Sequence, residues 1–391
     1  MPKALISIDN HFVALPDGTI KCENIVDQSF WDRYLEVFET IDVFVRTETV
    51  TYDSKYDDYN SVEHPNVNII PVPMFKTIKE LVFNFFEIRS IIKNQDLNRY
   101  EAIIVRLPSL LGFLVCNHTV SHSIPCGVEV VADMSTPPSD SGLGGKVKAL
   151  IFHSLLKHYV RKANGVAYVT KNALQLKYPA NSKAIQNHYS SINLDSSYFY
   201  DKTNEPKDEK EPFLLIHVST LNSNAKGHKV FIDTIERLSK DGYNVQGLIV
   251  GGGSLKSYYE DYSKEKNIED AIKFTGAISN PKELRDLYIQ SDILLFPSEF
   301  EGLPRTVIEA MSCSLAVVAS NVGGIPELLD KEWLSSFDDT DFFYRKTKEL
   351  IDHPQLLEQT SRENYKKAFE YEASQIQKRR NQFFSELLEA K

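Results

Sequence analysis

The chain has 391 residues, a formal charge of −10, 42% hydrophobic and 25% charged residues. That balance belongs to a water-soluble globular protein and argues against a general nucleic-acid binder, while about 150 residues per domain gives two or three domains. Cys22, Cys116, Cys126 and Cys313 are scattered without a CxxC pair, which excludes a disulfide frame or a zinc site. No run reaches the roughly 18 apolar residues of a spanning helix, and the opening MPKALISID lacks a signal-peptide layout, so a cytoplasmic protein is expected.

In chain order, the first half alternates apolar runs with helical periodicity. Strands are predicted at Ala4–Asp9, Val43–Arg46, Val67–Pro71, Ala102–Arg106, Gly127–Ala132 and Gly165–Val169, with helices at Phe30–Glu39 and Ile78–Ile92. The polar stretch Asp201–Glu211 is a linker, dividing residues 1–200 from 201–374. The alternation restarts with strands Phe213–Val218, Val245–Val250, Ile272–Phe274, Ile293–Phe296 and Ala316–Ala319. Helices Val230–Lys240, Leu255–Lys266 and Pro281–Gln290 fall between them. This predicts an α/β protein of two Rossmann-like domains, with a charged amphipathic helical tail whose end, 375–391, crosses back to the first domain.

The densest signal is SEFEGLPRTVIEAMSCSLAVVASNVGGIPEL, Ser298–Leu328. It follows a strand, where open α/β sheets bind ligands. Pro304 suits the first position of a helix through Met311, and the backbone N–H groups around Gly302–Thr306 then form an anion site. Glu301 sits at the mouth of that site and Glu309 about 7.5 Å deeper along the helix. Two carboxylates flanking an anion site fit two polyols flanking a phosphate, which is the layout of a nucleotide sugar.

Glu301-Gly302-Leu303-Pro304, Glu309-Ala310-Met311 and Gly323-Gly324-Ile325-Pro326-Glu327 resemble the signature of retaining GT-B glycosyltransferases of family four. The resemblance spans the second half of the chain. It implies a GT-B fold, a nucleoside-diphosphate sugar as donor, a glycan or lipid-linked acceptor and no separate cofactor. By the same resemblance Glu301 contacts the donor sugar, Glu309 the ribose, and the backbone of Gly302, Leu303, Pro304 and Arg305 lines the sugar and diphosphate side. Gly323 and Gly324 belong to the donor turn. Lys226-Gly227 matches the family's diphosphate-holding Lys-Gly, although the arginine that often precedes it is missing. The chain also departs at Ser314 and Ala316, where Gly and Pro are usual. Gly252 and Gly253 fall in a strand-to-helix turn that is not GxGxxG, and Ala277 in the loop resembling the one that reads the nucleobase.

In the first half, Val105–Ser109 and Val128–Asp133 resemble family-four enzymes of surface-polysaccharide assembly. Asp133, just past a strand, is either a group that orients or deprotonates the acceptor or a turn aspartate. Arg46 and Arg106 end strands, and either face the donor or pair structurally with carboxylates. His11, Asn10 and Asp17-Gly18 are expected in the first post-strand loop. Asp339-Thr340-Asp341 imitates a metal motif but reads as a helix N-cap, so no metal is expected. Lys146–Lys162 and Lys76–Lys93 place basic residues around apolar stripes, either as covering helices or as peripheral contacts with anionic lipid. A nucleotide-sugar epimerase or an inactive donor-binding subunit remain the alternative readings.

Overall fold

The computed structural model describes residues 2–390 except 24, 25, 58, 121, 136–141 and 203–210. Thr136, Pro137 and most of the expected linker Asp201–Glu211 lie outside the described residues. The first domain is built on a nine-stranded sheet. Seven of its strands are parallel, in the spatial order Val67–Pro73, Thr40–Thr49, Lys3–Ala14, Ala102–Leu107, Cys126–Val130, Gly165–Tyr168 and Ile185–His188. The short strands Ile20–Cys22 and Asn60–Ser61 extend it antiparallel. Runs such as Ala102-Ile103-Ile104-Val105 are buried because helices cover both faces, which is why they are apolar without alternation.

The second sheet is six-stranded and wholly parallel: Ile272–Gly276, Val245–Val250, Phe213–Val218, Ile293–Phe296, Ala316–Ser320 and Leu334–Ser335. In both sheets the first strand of the domain and the fourth parallel strand lie side by side, and the strand order reverses there. That reversal opens a crevice at the carboxyl ends of the strands. The fold is therefore GT-B, two Rossmann-like domains.

Helix Ala373–Glu389 leaves the second domain and packs on the first. Gly127 and Gly165 leave room for Leu387 and Phe383, and Phe384 stacks on Tyr34 with ring centroids 5.6 Å apart. Gln377 donates to Arg33 O at 3.1 Å, and Asn187 donates to Arg379 O at 3.0 Å.

Two expectations are corrected. The first strand runs to Ala14, so Asn10 and His11 belong to it and not to a loop; they sit at an irregularity in the pairing with Thr40–Thr49, after which Phe12 and Val13 return to the core. His11 Nε2 lies 3.0 Å from Glu48. The tail is two helices, Pro354–Ala368 and Ala373–Glu389, not one pattern. Ser314 stands at φ +58°, a backbone conformation natural to glycine, and its Oγ donates to Tyr200 O at 2.9 Å. The serine replaces the glycine freedom with a hydrogen bond to the segment entering the second domain.

Candidate active site

Two loops meet at the switch point of the second sheet. One follows Phe213–Val218 and ends at Lys226-Gly227; the other follows Ile293–Phe296 and runs from Pro297 to Pro304. Gly227 has φ +76°, and a Cβ there would lie 2.0 Å from Pro297 O. Only glycine permits this approach, and it brings Lys226 Nζ to 2.6 Å from Glu301 Oε1. Ser298 Oγ donates to the same oxygen at 2.8 Å. The lysine keeps two further N–H donors for a ligand. Gly227→Ala is expected to lower the melting temperature by several degrees, since strain above about 1 kcal/mol moves a domain of this size by about 2–4 °C per kcal/mol. Thermal denaturation checks this.

A buried chain of side chains ties the two loops together. His217 Nδ1 donates to Leu295 O at 2.9 Å, so in the neutral ring its Nε2 accepts from Ser219 Oγ at 2.8 Å. His228 Nε2 then donates to Ser219 at 3.1 Å. Burial holds His217 down to about 4 and His228 down to about 2, so both rings stay neutral. Sequence reading missed this chain, although His217 at a strand end and His228 right after Lys-Gly were visible.

The next helix is Arg305–Ser312, with Pro304 as its N-cap at φ −72°, ψ 119°, one position earlier than expected. No side chain caps this end, so the first backbone N–H groups are open to a ligand. Leu303 is buried and Arg305 exposed. One turn on, Glu309 is partly buried and accepts from Tyr288 OH at 3.2 Å. Burial raises its carboxyl above the usual range, against the opposing pull of Arg305.

Gly251 and Gly253, at φ +148° and +158°, press against Ser219 O and Leu221, and Gly252 faces the exposed Ala277. The glycine turn thus packs one loop on the other. Gly323, at φ +55°, and Gly324 lie on the Glu301-Gly302 backbone, and Gly324 N donates to Gly302 O at 2.6 Å.

These turns also meet the first domain. A Cβ on Gly302 would stand 2.8 Å from Val131 O, and one on Gly324 2.8 Å from Thr170. Glu327 accepts three backbone N–H groups across the cleft, from Lys171 at 2.6 Å, Asn172 at 2.8 Å and Ala173 at 2.6 Å. No role for Glu327 was legible in the sequence, because its partners lie more than 150 residues away.

On the first-domain side, Asp133 follows Val131-Ala132 and so borders this contact. Tyr178 OH donates to it at 2.9 Å, Ser135 N at 2.8 Å, and Lys177 pairs with it. Burial opposes its charge, but Lys177 and Ser135 outweigh burial and hold the carboxyl below its usual range. A carboxylate so engaged is a poor proton acceptor but a fixed one.

Arg106 is not brought to the loops that carry Lys226 and Glu301. It pairs with buried Glu129 at 3.4 Å, its neighbour in strand register. Arg46 likewise pairs with Asp9 and donates to Phe75 O. Both guanidinium groups find carboxylates inside the first domain, Arg46 from within strand Thr40–Thr49 and Arg106 from the end of Ala102–Leu107. Asp339 accepts from Phe342 N at 2.9 Å as an N-cap, and Asp341 pairs with Arg237 and Arg345.

Residues 200–367 match the family model described as Glycosyl transferases group 1. The chain is 28% identical over 351 residues to Protein CapJ of Staphylococcus aureus, covering 89% of this chain and 86% of that protein. It is 30% identical over 134 residues to the amylovoran biosynthesis glycosyltransferase AmsK of Erwinia amylovora, 32% of each. Among solved structures, sucrose-phosphate synthase from Thermosynechococcus elongatus superposes with a TM-score of 0.76 at 17% identity over 100% of both chains. Anabaena HepE in complex with UDP gives 0.69 at 14% identity, again over 100% of both chains.

Proposed function

We propose that this chain, whose residues 200–367 form a group 1 glycosyl transferase domain within a GT-B fold, moves a hexose-type sugar from a nucleoside-diphosphate donor to a glycan or lipid-linked acceptor in surface-polysaccharide synthesis. The observation that carries this reading is the meeting of Lys226, Glu301 and the uncapped Arg305–Ser312 helix at one switch point, with Glu309 one turn deeper. UDP is the favoured nucleotide, in keeping with the UDP held by the HepE structure.

In this reading the bond from the anomeric carbon to the diphosphate oxygen breaks. The leaving diphosphate takes its electron pair toward Lys226 Nζ and the helix N–H groups, charges aimed at where negative charge develops. Glu301, held by Lys226 and Ser298, grips a sugar hydroxyl, and Glu309 grips the ribose. The acceptor oxygen forms the new bond on the face the diphosphate leaves, its proton departing with the leaving group, so the anomeric configuration is retained. No metal is required, since a lysine and a helix N-terminus supply the positive charge. Asp133 orients the acceptor hydroxyl. The test is release of nucleoside diphosphate from a panel of nucleotide sugars with and without a membrane-extracted acceptor. Acceptor-dependent release from one donor supports transfer; donor conversion without acceptor supports an epimerase, and no turnover with any donor overturns the enzyme reading.

Glu309 separates binding from folding. Its raised carboxyl disfavours the charged form, so it costs stability at neutral pH, and that cost vanishes as pH falls through the raised value. Glu309→Gln is therefore expected to hold or raise the melting temperature while donor binding is lost. Calorimetry and thermal denaturation of the same variant check both halves.

Contact with an anionic membrane completes the reading. No helix among the described residues is long and apolar enough to cross a membrane. Helices Ile78–Lys93 and Gly142–Lys162 nevertheless leave large apolar side chains in water: Phe83 is 86% exposed, Phe86 79%, Leu143 80% and Leu150 65%. Lys79, Arg89, Lys146, Lys157 and Arg161 share these helices. Such a surface binds lipid through apolar burial plus charge. Phe83→Ser with Phe86→Ser is expected to abolish flotation with anionic vesicles and leave the melting temperature unchanged. Undiminished flotation would exclude this surface.

A further inference from the structure

Three guanidinium groups converge in the first domain around one carboxylate. Arg33 comes from helix Gln28–Leu35, Arg106 from the end of strand Ala102–Leu107, and Arg380 from the crossing helix, and all three line one narrow cavity. Glu129 is the only carboxylate among the lining residues, which leaves an excess of two positive charges. That carboxylate is already engaged, accepting from Tyr189 OH at 2.8 Å and Tyr34 OH at 3.3 Å and pairing with Arg106 at 3.4 Å. Arg380 is buried and donates to Gln377 and to Ser190 O, neither of them an acid. Among the described residues Arg33 makes no ion pair; it stacks on Phe30 at 4.1 Å, and its Nε is buried without a hydrogen-bond partner. Burial, and then the neighbouring Arg380, push Arg33 down to about 10.

Each guanidinium carries five donors, so the cluster is rich in donors and poor in acceptors. Like charges and an orphaned donor gathered inside a protein are costly unless a ligand neutralises them. A phosphoryl group supplies two negative charges and several acceptor oxygens in a shape that guanidinium forks match. Arg33 and Arg380 also line a neighbouring groove, together with Asp32, Glu36 and Lys378. Val131 lines the cavity and is the residue whose carbonyl abuts Gly302 of the donor loop.

We propose that Arg33, Arg106 and Arg380 form a binding site for a phosphoryl group on the first domain, separate from the donor site and beside the contact between the domains. Its occupant is the phosphate of a soluble metabolite or of a lipid headgroup.

The test is calorimetric titration of the full chain with inorganic phosphate at constant ionic strength. Arg33→Gln is the chosen variant, because removing Arg106 would strand buried Glu129 and threaten the fold. Saturable binding is expected in the unaltered chain, with affinity about tenfold or more weaker in Arg33→Gln and largely restored in Arg33→Lys. Glu309→Gln is expected to bind phosphate normally while losing the nucleotide, so failure of the donor reading leaves this result untouched. Absence of saturable binding, or equal affinity in Arg33→Gln, overturns the proposal. Flotation with phosphatidylcholine vesicles carrying phosphatidic acid identifies the source. Loss of flotation in Arg33→Gln together with weakened phosphate binding marks a lipid phosphate, and weakened phosphate binding alone marks a soluble one.

Discussion

Lys226→Ala is expected to lower turnover by about 10²- to 10³-fold, the effect of removing one preorganised charge from a developing anion. Lys226 pairs directly with Glu301 at the switch point, and in the proposed reaction its remaining donors are the ones the leaving diphosphate meets. The change should leave the fold intact. Glu301 retains the Ser298 Oγ bond at 2.8 Å, and the lysine side chain is 24% exposed, so the lost ion pair contributes about 0–1 kcal/mol at most. Steady-state release of nucleoside diphosphate reads the first effect and thermal denaturation the second. Undiminished turnover would remove the lysine from the mechanism.

Glu327→Ala is expected to reduce turnover by about 10- to 100-fold while each domain keeps its stability. The carboxylate accepts three N–H groups from the opposite domain, and bonds to a charged acceptor are worth about 1.5–3 kcal/mol each before water replaces them. Without them the donor turn Gly323–Glu327 loses its hold on the first domain, and the closed arrangement becomes less populated. Closure excludes water and assembles acceptor against donor, so it bears on turnover more than on nucleotide affinity. Small-angle scattering of the variant should show a larger radius of gyration. Unchanged scattering together with unchanged turnover would mean that this contact does not govern closure.

The second domain was the more legible in sequence because its strands are short, apolar and punctuated: Phe213–Val218, Val245–Val250 and Ile293–Phe296 stand as the hydrophobic runs read. The first domain was less so. Ile185–His188 reads IQNH and carries no apolar run, and the polar Asp9-Asn10-His11 inside Lys3–Ala14 falls at an irregularity in its pairing with Thr40–Thr49. At the site, Glu301, Glu309 and Lys226 announce themselves through local motifs. Work done at long range does not: the motif marks Glu327 but not its contact, since it meets its partners only after both domains fold, and His217, Ser219 and His228 form a chain only once Gly227 lets the loops touch. Arg46 and Arg106 illustrate the converse, since a strand arginine points to a site only if no carboxylate on the neighbouring strand claims it. Asp9 and Glu129 do so here.

The proposed binding of a nucleoside diphosphate by the second domain, through Glu309, Lys226 and the Arg305–Ser312 helix, is tested most directly by calorimetric titration of the full chain with UDP, GDP and ADP. Saturable one-site binding of one of these, abolished in Glu309→Gln and preserved in Asp341→Asn, is the expected result. Binding that survives Glu309→Gln unchanged, or no binding of any nucleoside diphosphate, would contradict it.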